Sequence, residues 1–540
     1  MFETRVCSSL ERIFPDSEPQ AIPCEGVMLR NELFCFQIAC RCDEGVSVVP
    51  VISGGPENAL SVRQVTLVPS ELPAYPEPDM YYERTAPGLF PDPMLNIPSC
   101  GVPITGQSGW RSFFITIHSA SGVPAGAYDL LISLRDAASG LEHARVSYVL
   151  HVLEKELPPQ ETLYTCWTYL DCIAEAHHVA LWSEEFWTLA ERYVAMAAEY
   201  GVNMMLTPLL TPPLETAIGQ YRTTVQLVDV RLDNGEWDIS FEKLDRYVEI
   251  CLNAGMKKLE IAHLFSQWGA RSAPQVVAQT ETGLQRMFGW DTPSDDPRFT
   301  RFLTALLKAF KAHAQEKHYW EKCVFHVSDE PGWSDREAYE RGKAIILEAI
   351  GPVEIMDALS DFSFYREGVV PTPVPAIDAI EPFARADVRP LWGYYCCCQT
   401  NLVSNRFFSM PLHRTRAMGL LMYVYDMQGF LHWGFNHYNA QQSQVRIDPF
   451  NCTDAIRAFP SGDAFSVYPA QDGPAPSLRL NAFAEGLQDE RLLHLAEKKA
   501  GRENVLALIR SIYPAKISMT AYPRDGSFFA DLRERLLKII

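Results

Sequence analysis

From Gly26 to about Leu157 the chain alternates apolar and polar positions in short runs: LFCFQIAC, VSVVPVI, VRQVTLVP, WRSFFITIH, AYDLLISLR and ARVSYVLHVL, with turn residues between them. A period of two over such short runs is that of half-buried strands, and a series of them predicts an N-terminal β-sandwich over residues 1–158. The Pro-rich stretches LPAYPEPD and APGLFPDPMLNIP lack the N–H donors a central strand must supply, so they are expected as loops. LPPQ, residues 157–160, reads as a linker.

After Glu161 the pattern changes to apolar strands followed by amphipathic helices. LYTCWTYLD, SEEFWTLAERYVAMAAEYG and VNMMLTPLL give one strand, helix, strand unit. In the helix Phe186, Leu189, Tyr193, Met196 and Ala197 recur at helical spacing, Ser183 caps the start and Gly201 stands at the end. Further candidate strands are KKLEIAHLF, KCVFHVSDE, VEIMDALS, AIDAIEPF, RPLWGYYC and GLLMYVYDMQGFLHWGFN. With the first two they make eight, which predicts a (β/α)8 TIM-type barrel over residues 161–500. Leucine-rich C-terminal helices close the chain, the last of them within 501–540. The whole is a multidomain protein of β and α/β parts.

Composition adds mainly exclusions. Sixty-seven acidic against 47 basic residues give a formal net charge of -20, with no local basic run to offset it, so no nucleic-acid partner is expected. No window of about 18 apolar residues occurs, and MFETRVCSSLERIFPDSEP carries acidic residues where an export segment needs an apolar run. No membrane association is expected, and a cytoplasmic location is the reading. Fourteen cysteines, three of them consecutive at Cys396, Cys397 and Cys398, suit free thiols in a reducing compartment better than a disulfide framework. There is no P-loop, no GxGxxG after a strand and no HExxH, and GQSG at 106–109 lacks the last glycine of a nucleophile elbow. His177-His178 and the pair His313 and His318 lack zinc spacing, and CCC cannot imitate CxxC. Neither a cofactor nor a metal is expected.

Barrels keep catalytic groups at the carboxyl ends of their strands. In CVFHVSDEPGW an apolar strand closes in Ser328, Asp329 and Glu330, and Pro331 and Gly332 turn the chain toward a helix starting near Ser334. Buried carboxylates are costly without partners. The two acids are therefore either structural, tied to Arg or Lys or to a helix N-cap, or they form a site; position alone leaves both open. Two acids this close repel as anions, which raises one pKa and keeps a proton near neutrality.

HVSDEPG, together with WGYYC, the Arg in HRTRAMG, GFLHWGFNHY and GDAFSVYPAQDGPAPSLRL, resembles glycoside hydrolase family 123, the β-N-acetylgalactosaminidases, over roughly residues 161–500. The resemblance implies an exo-acting, retaining hydrolase that removes terminal β-N-acetylgalactosamine through an oxazolinium intermediate. It gives Glu330 the role of general acid, carrying the proton, and Asp329 that of orienting the acetamido group. Tyr394 matches the position of the donor to the acetamido oxygen, with Tyr395 the near competitor. A retaining enzyme with its own nucleophile separates its carboxyls by about 5 to 5.5 Å, usually across strands. Neighbours at one strand end suit substrate assistance better.

Trp433 and Asn436 follow the expected eighth strand, where an indole face can stack on a sugar and an amide can bind hydroxyls. Trp392 and His326 complete the expected binding set. Trp167, Tyr169, Asp357 and Arg416 also fall near strand ends or family motifs, with structural roles equally open. Gly393 stands where the family commonly has an aromatic residue, and the CCC run is unusual for it. The expected partner is an oligosaccharide or glycoconjugate with a terminal 2-acetamido sugar. Rival readings are a β-N-acetylglucosaminidase or an endo-acting relative, and a non-catalytic carbohydrate-binding barrel.

Overall fold

The computed structural model describes residues 1–56, 58–118 and 122–540. Its N-terminal region holds two five-stranded sheets. In the first, Phe2–Ser8, Leu33–Cys42, Arg111–His118, Leu60–Ser70 and Gly88–Asn96 pair antiparallel in that spatial order. In the second, Glu25–Arg30, Glu142–Glu156, Gly126–Asp136, Val46–Ser53 and Val102–Ile104 lie side by side, with only the first pair parallel. Alternate residues of the two sheets share one core: Phe36, Ile38 and Ile115 face Leu130, Ile132 and Tyr148, with the Phe36 and Tyr148 rings stacked at 4.1 Å. The stretch APGLFPDPMLNIP is not a loop as expected. Gly88–Asn96 is an edge strand, the one place in a sheet where proline's missing donor costs nothing.

Beyond Glu161 six strands form one curled parallel half-barrel. Taken in chain order, the parallel strands are the first, Leu163–Cys166, the second, Met204–Thr207, the third, Lys258–Ile261, and the fourth, Cys323–Phe325; the seventh is Trp392–Tyr394 and the eighth Gly429–His432. Across the sheet they run fourth, third, second, first, eighth, seventh. The fifth, Met356–Ala358, and the sixth, Thr372–Val374, pair only with each other as a ladder. Single parallel bridges join Phe325 to Ile355 and Ala376 to Tyr394. Prolines at 371, 373 and 375 remove the donors that a continuous ladder would need there. One eight-stranded ladder, as expected from sequence, is therefore not what the pairing describes.

One expected strand and the first part of another are helical. AIDAIEPF forms a 3-10 turn and the helix Glu381–Arg385, burying Ile377, Ile380 and Phe383 three residues apart. Most of GLLMYVYDMQ belongs to the helix Leu412–Tyr425, which is apolar on nearly every side because other elements enclose it. Ser183 caps Glu184–Glu199 as expected, accepting from the Phe186 N–H at 3.2 Å. An unexpected four-stranded sheet lies between the second parallel strand and the helix Pro297–Glu316. Among the described residues no helix is long and apolar enough to cross a membrane.

The long helix Leu478–Ala500 crosses Leu412–Tyr425 at two glycines. A Cβ on Gly419 would meet the Gly486 carbonyl oxygen at 1.8 Å, so only glycine allows the approach. Arg416 spans the same crossing to Asp489 at 2.6 Å and to Glu485, which makes it a packing residue. Gly419→Ala is expected to destabilise the protein by about 1–3 kcal/mol through overpacking. Denaturant unfolding checks this, and an unchanged midpoint would mean that the crossing yields without strain.

Candidate active site

The fourth parallel strand stops at Phe325, and the next five residues are held by other means. Leu264 and Phe265 donate to the carbonyls of His326 and Val327, at 3.3 and 3.1 Å, and the Trp268 N–H donates to Asp329 O at 2.8 Å. Ser328 Oγ donates to Ser266 O at 2.8 Å and accepts from Gly269 and Ala270. On the other side, the Val327 N–H donates to the Asp357 carboxylate at 3.1 Å and the Glu330 N–H to Ala358 O at 3.0 Å. This fixes the Asp-Glu pair at the carboxyl end of the sheet. Successive residues of an extended chain point to opposite sides, yet both acids line one cavity. Glu330 has φ of 43°, a left-handed conformation that breaks the alternation and that non-glycine residues adopt at a cost.

Beneath the pair lies a buried polar network. His326, fully enclosed, bridges Asp357 through Nδ1 at 3.1 Å and Glu260 through Nε2 at 2.7 Å. Trp167 Nε1 donates to Glu260 at 2.8 Å, Thr165 Oγ1 donates to it as well, and Tyr339 donates to Asp357 at 2.5 Å. Burial alone would lower the His326 pKa, but the hydrogen bonds to Asp357 and Glu260 raise it to about 10. It is thus an imidazolium at neutral pH. Removing it as His326→Gln leaves two buried carboxylates without their counter-charge, which costs about 3–5 kcal/mol. Denaturant unfolding reads this directly, and a loss near zero would show that His326 carries no charge.

Burial pushes the Asp329 carboxyl well above the ordinary carboxylate range; Glu330, Asp357 and Glu215 push it further, and the His326 cation pulls it back. Glu330 is also raised by burial, while the Tyr394 hydroxyl, which donates to Glu330 Oε1, opposes the shift. Glu330 keeps contact with solvent through the cavity and Asp329 is half-buried. Both carboxyls are thus raised, which favours a proton held within the pair near neutrality.

The cavity above the pair has a volume of about 210 Å³. Of the expected site residues, Asp329, Glu330, Tyr394 and Trp433 line it, as do Trp167 and Tyr169. Trp433 presents its ring there, held by Nε1–H to Asp463 at 3.0 Å. Three expected binding residues do not reach it. His326 is spent on the two carboxylates below. Asn436 is fully buried, and its amide clasps the backbone of Tyr169, accepting from N at 2.8 Å and donating to O at 3.1 Å. Trp392 is 1% exposed and its indole covers Gly429, whose added Cβ would meet it at 2.3 Å. Tyr395, the competitor to Tyr394, packs its ring against Phe430 and His432 in the core. Gly393 points away from the cavity, toward Met427 and Ile377.

Glu215, Gln267, Trp268 and the three consecutive cysteines also line the cavity. Glu215 and Trp268 stand in LTPPLE and HLFSQWG, the tails of the second and third parallel strands, so reading every strand tail for polar and aromatic groups would have found them. The Glu215 carboxyl accepts from the Gln442 N–H at 2.5 Å, and burial raises its pKa. Spacing excluded the CCC run as a chelate, but the turn after the seventh strand brings its three sulfurs within 4.8 Å of one another. His263, His326 and Asp357 are as close, but both His326 nitrogens are already committed to carboxylates. A larger groove of about 380 Å³ lies beside the C-terminal helices. Its two arginines are paired there, Arg416 with Asp489 and Glu485 and Arg533 with Glu32.

A family model described as the glycoside hydrolase 123 catalytic domain matches residues 167–496. No curated protein matches the sequence. Among solved structures, a family 123 glycoside hydrolase from Clostridium perfringens, described for glycolipid glycan hydrolysis, superposes with a TM-score of 0.72 at 14% identity, covering 100% of this chain and 97% of its own. A family 39 glycoside hydrolase from Bacteroides cellulosilyticus WH2 gives a TM-score of 0.34 at 11% identity over 82% of this chain and 80% of its own. A GH10 xylanase from Thermobacillus composti gives 0.32 at 12% identity over 61% and 97%. Neither of the last two carries weight for the fold.

Proposed function

The chain belongs to glycoside hydrolase family 123, and from that premise we propose that it removes terminal β-N-acetylgalactosamine as an exo-acting, retaining enzyme with substrate assistance. The observation that carries this reading is the delivery of two neighbouring carboxyls, Asp329 and Glu330, into one cavity from a single strand end. In this reading the sugar's acetamido oxygen attacks the anomeric carbon, Glu330 gives its proton to the leaving oxygen, and Asp329 holds the acetamido N–H. Positive charge developing on the ring nitrogen stabilises ionised Asp329, so substrate draws the shared proton toward Glu330. The Tyr394 hydroxyl then passes from Glu330 to the acetamido oxygen. Water attacks the oxazolinium with Glu330 as base, which restores the starting state with retained configuration.

A cavity of about 210 Å³ lies below the roughly 300–1,000 Å³ of sites for drug-sized ligands, which favours one terminal sugar over a longer glycan segment. The eight parallel strands, with the bridges at Phe325 and Tyr394, support a (β/α)8 barrel as scaffold. The Clostridium relative's glycolipid glycans make an oligosaccharide of that kind a fitting natural substrate. Turnover of 4-nitrophenyl β-N-acetylgalactosaminide, set beside its gluco epimer and the 2-hydroxy galactoside, tests the reading: hydrolysis of the first well above the others supports it. Equal hydrolysis of the 2-hydroxy galactoside would overturn it.

Trp433 is assigned the stacking face of the sugar site. Trp433→Ala is expected to raise KM by about tenfold, the loss of one aromatic contact of roughly 1.5 kcal/mol, with kcat less affected. A melting temperature that collapses without any change in KM would instead make Trp433 a packing residue.

A further inference from the structure

We propose that Cys396, Cys397 and Cys398 form a binding site for a thiophilic d10 cation such as Zn2+, in the wall of the catalytic cavity. The three sulfurs lie within 4.8 Å of one another, and Sγ of Cys397 and Cys398 are 3.8 Å apart. A tetrahedral zinc with bonds of about 2.3 Å needs its sulfur ligands about 3.8 Å apart. One pair already has that spacing, and the turn that carries all three is braced. Gln399 Oε1 accepts from the Cys396 N–H at 2.9 Å and from its Sγ at 3.3 Å. Gln399 Nε2 is tied to Asp378 at 3.1 Å, and Asn405 Nδ2 holds the Cys396 and Gln399 carbonyls at 2.8 Å each. A thiol cluster held this way loses little freedom on binding a metal. Cys398 is exposed and the other two partly so, which gives a cation a way in.

Binding replaces thiol protons by the metal and releases them to water, so affinity rises with pH. Three protein ligands leave a fourth position for water or a hydroxyl of a bound molecule. All three cysteines line the cavity that holds Asp329 and Glu330. A cation there occupies part of the sugar's space, so it acts as a reversible inhibitor of whatever reaction the pair performs.

The test uses the full chain, reduced and freed of metal. Cadmium is titrated against the sulfur-to-cadmium charge-transfer absorption, and zinc by calorimetry. One equivalent of either metal is expected to saturate the wild-type protein. Cys398→Ser, a change at an exposed side chain, is expected to weaken binding by about 100-fold. A variant with Cys24→Ser and Cys100→Ser should retain full binding, which removes the remaining exposed thiols as the source. Absence of a one-equivalent phase in wild type, or its survival unchanged in Cys398→Ser and in a variant with Cys396→Ser, Cys397→Ser and Cys398→Ser together, would overturn the site. With an active substrate, zinc is expected to reduce turnover at least severalfold and a chelator to restore it. The absorption titration stands whether or not N-acetylgalactosaminides prove to be substrates.

Discussion

Glu330→Gln is expected to lower turnover of substrates with poor leaving groups by about 10²- to 10⁴-fold, the usual worth of a positioned general acid. The amide has nearly the same volume and can still accept from Tyr394, so folding is not at issue. What it lacks is a proton for the departing oxygen. Activated aryl glycosides leave without that help, and their glycosylation step should suffer far less. The test is a comparison of 4-nitrophenyl and simple alkyl glycosides of the same sugar, at matched protein stability. An equal loss for both would remove Glu330 from the acid's role and make its hydrogen bond with Tyr394 a structural contact.

Asp329→Asn carries the second large effect and links it to pH. In the proposed mechanism ionised Asp329 balances the positive charge that develops on the acetamido nitrogen, and an asparagine cannot supply it. A loss of about 10²- to 10³-fold in kcat is expected, as for removal of one preorganised electrostatic partner. In the wild-type enzyme burial and the neighbouring Glu330 hold the Asp329 carboxyl well above its ordinary value. A raised carboxyl pKa means that the ionised form is lost as pH falls through the raised value. The acidic limb of kcat/KM should therefore lie above the roughly 3.9 of a free aspartate. The alkaline limb, where the pair loses its last proton, should likewise lie above the ordinary glutamate range, because Glu330 is raised by burial. Both limbs belong to the pair rather than to one residue. Asp329→Asn should remove the coupling and leave a single descending limb from Glu330. An acidic limb at an ordinary aspartate value would contradict the burial of the pair.

Sequence pattern reaches the sandwich strands and the amphipathic helix capped by Ser183 because each has one buried and one open side, and the buried strand before Asp329 and Glu330 because its short apolar run closes in two acids. It fails for a helix that is buried all round. The helix Leu412–Tyr425 shows no helical period because nearly every face is covered, and short sixth-strand pairing is hidden among prolines. The same limit governs the site. Tyr394 and Trp433 were legible as aromatic residues at strand ends, and the cavity does receive them. Trp392 and His326 occupy equally suggestive positions, but Trp392, on the same face as Tyr394 and two residues deeper, covers Gly429, and His326 is held between Glu260 and Asp357. Asn436 was read as free for hydroxyls, whereas its amide is consumed by the Tyr169 backbone. No local pattern records a partner 267 residues away. Glu215 stands in a strand tail, where a reading of every tail reaches it, whereas the Cys396 turn reaches the cavity through a loop whose course depends on tertiary contacts.

Substrate assistance is the central claim, and attempted trapping of a covalent sugar tests it most directly. The wild-type protein is incubated with a 2-deoxy-2-fluoro glycoside and examined as the intact chain by mass spectrometry, beside binding of a thiazoline analogue of the cyclised sugar. With the acetamido group as nucleophile, no glycosyl-enzyme forms and the mass stays unchanged. The thiazoline, which shares the shape and charge of the intermediate, binds far more tightly than the substrate. A stable sugar adduct on Asp329 or Glu330 would contradict the account.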